Sequence, residues 1–388
     1  MNELNNMLFS LLRSILCDEE LDRSVIECLD EGKLDKLYKL SKKHDLAHLV
    51  SAALDKAGLL RENEISKKFG KQQLLAVYRY ENLKYEYERI CKTLEEGKIP
   101  YIPLKGAVLR DLYPEPWMRT SCDIDILVQK NDLESAVSLL VCDLNYEREE
   151  KLEAHDVSLH SGNGVHLELH FTIVESVESV EAILDSVWSY ARKTEGEKYE
   201  MLPEFFVFYH IAHMLCHFLI GGCGIRPICD LYLIRQGIAY DENKLLELCR
   251  GANIETFYLE MSRYAEERFS GAELDEIGER IENYVVSGGT YGTHENQIAV
   301  RKGQTNGNLG YAKKRIFVSY RHLKLRYPSL KSRALAPAYQ VRRWIDVLRE
   351  RRGGGLLSEY RATAAVDKET VRDVNTLMKD LKLSAHIK

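Results

Sequence analysis

Two aspartates separated by one isoleucine, Asp123 and Asp125, open the apolar run in "RTSCDIDILV". In an extended strand alternate side chains share a face, so both carboxylates point one way while Ile124, Ile126 and Val128 point the other way, into a core. Like charges held that close call for a cation. A divalent metal removes the repulsion, and Mg²⁺ is usually held by one or two carboxylates together with substrate phosphates. A strand with this pattern constrains the chain to a sheet that is apolar on one side and chemical on the other.

A second segment offers a partner. In "VHLELHF", Val165, Leu167, Leu169 and Phe171 share one face, and His166, Glu168 and His170 the other. Glu168 is the candidate third carboxylate. Three carboxylates can hold two metals roughly 3.5–4 Å apart, one activating an incoming oxygen and one steadying a leaving phosphate, which is phosphoryl or nucleotidyl transfer chemistry. Upstream, Lys105-Gly106 adds a point charge and a residue that lets backbone N–H groups approach phosphate.

An Asp-x-Asp pair also arises as a solvated strand end, and two other chemistries use one. Phosphatases of the haloacid dehalogenase type place the aspartates after an apolar strand, whereas here "WMRTS" precedes them and the apolar run follows. Metal-dependent glycosyltransferases hold nucleotide sugars with such a pair, but a large Rossmann-like region should come first, and here the preceding spacing is helical. The glycosyltransferase stays as the alternative reading.

The rest of the chain falls into segments by periodicity. Residues 1–97 recur at three and four positions and predict an N-terminal helical region; 98–175 carry short alternating runs and predict a compact catalytic α/β core. Residues 176–286 read as a helical region packing on that core, 287–310 as a glycine-rich mobile loop, and 311–388 as a basic helical C-terminal region. Within it, residues 311–352 hold thirteen Lys or Arg against Asp346 and Glu350. That segment is a candidate surface for an acidic partner or RNA, or a solvated helix surface.

Over all 388 residues the net charge is -6, so no generic affinity for nucleic acid is expected. Nine cysteines without a Cys-x-x-Cys pair suggest a reduced compartment, and the first residues read as an amphipathic helix without a basic leader. A cytoplasmic location is the expectation. The stretch Phe205–Ile225 lacks Asp, Glu, Lys and Arg over a bilayer-length run, but its three histidines and glycine break favour a buried core helix over a membrane span.

"LKGAVLRDLYPEPWMRTSCDIDILV" as a whole resembles the Lys-Gly, Leu-Tyr-Pro, Arg-x-Ser-x-Asp-x-Asp pattern of an uncharacterised bacterial nucleotidyltransferase family in the DNA polymerase β-like superfamily. The likeness extends to "VHLELHF", to "HMLCHFLIGGCGIRPICDLYLI" and, more weakly, to "YPSLKSRALAPAYQVRRW". It implies an α+β fold, a small mixed-sheet polymerase β-like unit embedded between helical regions, and transfer of NMP from an NTP to an unknown acceptor. It implies that Asp123, Asp125 and Glu168 bind Mg²⁺ or Mn²⁺, and that Gly106 shapes a phosphate-facing turn. Ala107 stands where the superfamily usually has Gly or Ser, so Lys105, Arg119 or Ser121 would take over that phosphate contact.

His210, His213 and His217 share a helical face, where a zinc site is less expected than a pocket wall. Arg226 and Asp230 lie one turn apart, fitting either an ion pair or a triphosphate contact by Arg226 with Asp230 orienting it. With His170, the residues His210, His213 and Asp230 form the candidate pocket wall. Three functions remain open: transfer to a small molecule, modification of a protein or RNA, and a non-catalytic nucleotide-binding module.

Overall fold

The computed structural model describes residues 2–149, 155–174, 177–290, 292–303, 317–318, 320–327, 329–330, 332–350, 367–384 and 386. The fold is α+β. The chain begins with the helices α1 (Asn2–Leu16), α2 (Arg23–Cys28), α3 (Glu31–Lys43), α4 (Ala47–Lys56) and the 33-residue α5 (Glu64–Glu96). Side-chain caps start three of them: Asp22, Asp30 and Asn63 accept backbone N–H groups of the first turn.

A five-stranded sheet follows, made of β1 (Tyr101–Pro103), β2 (Asp123–Val128), β3 (Glu147–Arg148), β4 (Asp156–His160) and β5 (His166–His170). Their spatial order is β1-β2-β5-β4-β3. Only β2 and β5 run parallel, and the other neighbours are antiparallel. The short helix α6 (Gly106–Leu109) precedes β2, and α7 (Leu133–Leu144) carries the chain away from it.

The alternation read from the sequence decides which face is buried. Ile124, Ile126, Val128, Leu167 and Leu169 pack with Leu83, Ile90 and Leu94 of α5 and with Ala136, Val137 and Leu140 of α7. Each such side chain stabilises the fold by about 1.5–3 kcal/mol when fully buried. A one-residue slip of β2 would exchange them for Asp123 and Asp125, so the register is firmly specified.

Beyond the sheet come α8 (Glu178–Leu184), a hairpin of β6 (Ala191–Lys193) and β7 (Tyr199–Met201), then α9 (Pro203–Ile220), α10 (Arg226–Gly237), α11 (Glu242–Gly251), α12 (Glu255–Ser270) and α13 (Glu276–Gly288). The hairpin interrupts what the periodicity reads as continuous helix. A second, larger core unites α1, α3, α4, α9, α10, α12 and α13, and Leu127 of β2 reaches into it from the sheet. α9 is apolar and long enough to cross a membrane by length and composition alone, but 67% of it is buried within the protein.

The segment expected to be a mobile loop contains α14 (His294–Gly303). The Thr293 hydroxyl accepts from the Asn296 N–H, and Ile298, Ala299 and Val300 are buried against the helical core, which outweighs the flanking glycines. Residues 304–310 lie outside the described residues, as do 311–316 of the basic segment. Two further stretches of that segment, Tyr320–Arg326 and Ala336–Glu350, are helical, with Leu323, Tyr327 and Leu330 forming a small core of their own.

Candidate active site

The chemistry sits on the sheet face turned away from α5 and α7. Parallel pairing sets Asp123 opposite His166, Asp125 opposite Glu168 and Leu127 opposite His170. Antiparallel pairing of β4 then places Asp156 opposite His170 and Ser158 opposite Glu168. Donor atoms of Asp123, His166 and Glu168 lie within 4.8 Å of one another, and so do those of Asp125, Glu168 and His170. The three predicted carboxylates therefore form two overlapping sets that share Glu168.

Their environments differ. Asp125 is buried, and its Oδ1 meets His170 Nε2 at 3.0 Å and Lys105 Nζ at 3.4 Å. Burial alone would raise its pKa, but Lys105 and the His170 hydrogen bond more than offset that, and Asp125 is held well below the usual carboxylate range. His213 on α9 adds to that pull. Asp123 is pushed up to about 6, by burial first and then by Asp125 and Glu168. Among the described residues, no Lys or Arg lies within ion-pair distance of Asp123, while Lys105 pairs with Asp125. That excess of carboxylate charge, presented beside oxygen and imidazole donors, fits a divalent cation.

His170 is nearly fully buried and is raised to about 9. Burial works against its charge, and the Asp125 and Glu168 carboxylates, at 3.0 and 3.4 Å from Nε2, overcome that.

The turn ahead of β2 is strained. Lys105 adopts φ +36° and ψ -106°, a conformation that costs an L residue about 1–3 kcal/mol. The turn places its ammonium over Asp125. Gly106 leaves room beside it: a Cβ would stand 3.2 Å from Ser121 Oγ, close enough that the serine side chain would have to give by a few tenths of an ångström, and 3.5 Å from Arg119 Nη1, in ordinary contact. Arg110, which the sequence reading did not single out, donates to the Gly106 carbonyl at 2.7 Å and to Ser121 Oγ at 3.4 Å. Ser121 is thus brought to the Lys105-Gly106 turn.

Arg119 is not. Its Nε and Nη2 donate to the two oxygens of Asp230 at 3.1 and 3.0 Å, Tyr113 OH donates to the same carboxylate at 2.7 Å, and both charged groups are buried. Burial disfavours the Arg119 charge, but Asp230 more than restores it. Arg226 pairs with Asp45 at 3.2 Å and with the Thr120 carbonyl at 3.2 Å, so the Arg226–Asp230 ion pair suggested by helical spacing is replaced by two other pairs. Thr120 Oγ1 also donates to Asp45 at 2.8 Å. Consecutive residues of "RTS" are therefore tied to α10, to the α3–α4 turn and to the Gly106 turn, which fixes the approach to β2.

His210 faces the Pro227 carbonyl at 3.2 Å, and His213 and His217 bring ring nitrogens within 3.1 Å of each other. Among the described residues, no metal-binding group includes these three histidines.

A small mixed sheet that presents paired aspartates from one strand and a glutamate from its parallel neighbour, beside a Lys-Gly turn, belongs to the nucleotidyltransferase class. The chain is a member of the family described as uncharacterised nucleotidyltransferase, whose model matches residues 30–270, from α3 through α12. No curated protein and no solved structure matches it.

Proposed function

We propose that this chain moves a nucleoside monophosphate from an NTP to an acceptor hydroxyl or phosphate, releasing pyrophosphate, with Mg²⁺ or Mn²⁺ held by Asp123, Asp125 and Glu168. The observation that carries this reading is the β2–β5 register, which faces Asp125 with Glu168, together with the burial and neighbouring carboxylates that raise the pKa of Asp123 despite the opposing charges of Lys105 and His166. A divalent ion bound there would neutralise the triphosphate and polarise the reacting oxygens.

The protein's own groups supply the rest. Lys105 offers a point charge to the phosphates from a turn that Gly106 keeps open, and Arg110 stiffens the turn by bonding its carbonyl. Direct attack by the acceptor fits better than a covalent intermediate. Cys122, next to Asp123, has its thiol pushed up by burial and then by Asp123, so it is protonated at neutral pH and a poor nucleophile.

The test is to follow label from NTPs carrying it at the α- or the γ-phosphate. Transfer of the α-label to acceptor with release of unlabelled pyrophosphate is absent in Asp123→Asn/Asp125→Asn; transfer of the γ-label would replace this reading with a kinase.

A further inference from the structure

Next to the carboxylates, on the same sheet face, lies a group that the proposed reaction does not use. His155, Asp156 and His170 bring one donor atom each to within 4.8 Å of one another where β4 begins and β5 ends. Asp156 is 2% exposed, and its oxygens meet only His155 Nε2 at 3.2 Å and Ser158 Oγ at 3.4 Å among the described residues. A buried carboxylate with so little compensation is costly unless a cation joins it.

The second observation is independent. His170 is 5% exposed, and its Nδ1 is buried without a hydrogen-bond partner. Its Nε2 faces the carboxylates of Asp125 and Glu168, so Nδ1 is the ring atom left for another partner, and an arriving metal ion would take the place of the proton it carries. A histidine that donates one N–H to a carboxylate and offers its other nitrogen outward is arranged as metal-ligating histidines are. His155 is half exposed and leaves a path for an ion. Tetrahedral zinc with bonds of about 2.0–2.1 Å sets its ligand atoms about 3.3 Å apart, close to the His155–Asp156 separation of 3.2 Å.

We propose that His155, Asp156 and His170 form a separate site for a divalent transition metal of the Zn²⁺ type. Two imidazoles and one carboxylate suit such an ion, whereas the oxygen-rich set of Asp123, Asp125 and Glu168 suits Mg²⁺. His170 joins the two sites: the ion holds its tautomer, and the tautomer holds Asp125. The inference stands on these residues alone and does not require nucleotidyl transfer.

The test is Zn²⁺ titration of the chelator-stripped full-length protein, with Co²⁺ as an optical reporter of imidazole-containing tetrahedral coordination. Wild type and Asp123→Asn each take up one tightly bound Zn²⁺, which is weakened at least tenfold in His155→Ala. Because His155 is half exposed, that variant folds, as its circular dichroism will show; Asp156→Asn is the second, more buried probe. Absence of tight Zn²⁺ binding in wild type, or equal binding in His155→Ala, overturns the site. Loss in Asp123→Asn with retention in His155→Ala would assign the ion to the carboxylate centre instead and also overturn it.

Discussion

Replacing Asp230 by Asn tests whether Arg119 serves the scaffold or a nucleotide. In the folded protein Arg119 and Asp230 are 9% and 1% exposed, and two N–H···O bonds of 3.1 and 3.0 Å join them. Asn keeps one acceptor oxygen for Tyr113 or Arg119, loses the charge, and turns an NH₂ toward the guanidinium. A buried ion pair deprived of one partner loses about 3–5 kcal/mol, because the remaining charge stays out of water. The hydrogen bond from Tyr113 keeps the expected loss in the upper half of that range. Denaturation by urea, followed by far-UV circular dichroism at pH 7, measures it as a lower midpoint. Since Asp230 is held below its ordinary pKa, the pair's contribution is present above about pH 4 and lost as pH falls through the lower folded value, so wild type and variant converge in acid. A loss below about 1 kcal/mol, combined with sharply weaker NTP binding, would refute the reasoning and return Arg119 to the phosphates.

Three further outcomes follow from the site's electrostatics. Lys105→Met removes a cation 3.4 Å from Asp125, so Mn²⁺ binding followed by electron paramagnetic resonance should tighten by about tenfold or more while NTP binding weakens; weaker Mn²⁺ binding contradicts the assignment. Asp123 takes up a proton near pH 6, so Mn²⁺ affinity should fall as pH drops through about 6, and this dependence should vanish in Asp123→Asn. His170 is raised from 6.5 to about 9, so in metal-stripped protein its stabilisation is complete below pH 6.5 and lost as pH rises through about 9, amounting to at most about 3 kcal/mol; a His170→Asn variant with the same alkaline loss would contradict it.

The sheet was the most legible part of the chain. Strict alternation around Asp123 and Asp125, and again through His166, Glu168 and His170, puts the apolar residues on one face, and the structure has Ile124, Ile126, Leu167 and Leu169 there. The same alternation runs through "DVSLH", but its carboxylate became interesting only once register set Asp156 across from His170. Register depends on how α7 and β3 return the chain, which local spacing does not encode. Pairing over long separations was equally hidden: Arg119 and Asp230 are 111 positions apart, and helical spacing pointed to Arg226 as the partner instead. The strain at Lys105 was invisible because nothing in a Lys-Gly dipeptide says which of the two residues takes the positive φ. In α14, glycines at both ends masked a buried Ile298-Ala299-Val300 stretch whose burial comes from tertiary packing.

The central claim is that Asp123, Asp125 and Glu168 hold a cation for an NTP, and thermal unfolding with each NTP, with and without Mg²⁺ or Mn²⁺, tests it most directly. Ligand at a hundred times Kd adds about 2.7 kcal/mol, a shift in Tm of a few degrees. The account predicts a metal-dependent NTP shift in wild type that disappears in Asp123→Asn/Asp125→Asn. No shift with any NTP, but a metal-dependent one with a nucleotide sugar, would contradict it and favour glycosyl transfer.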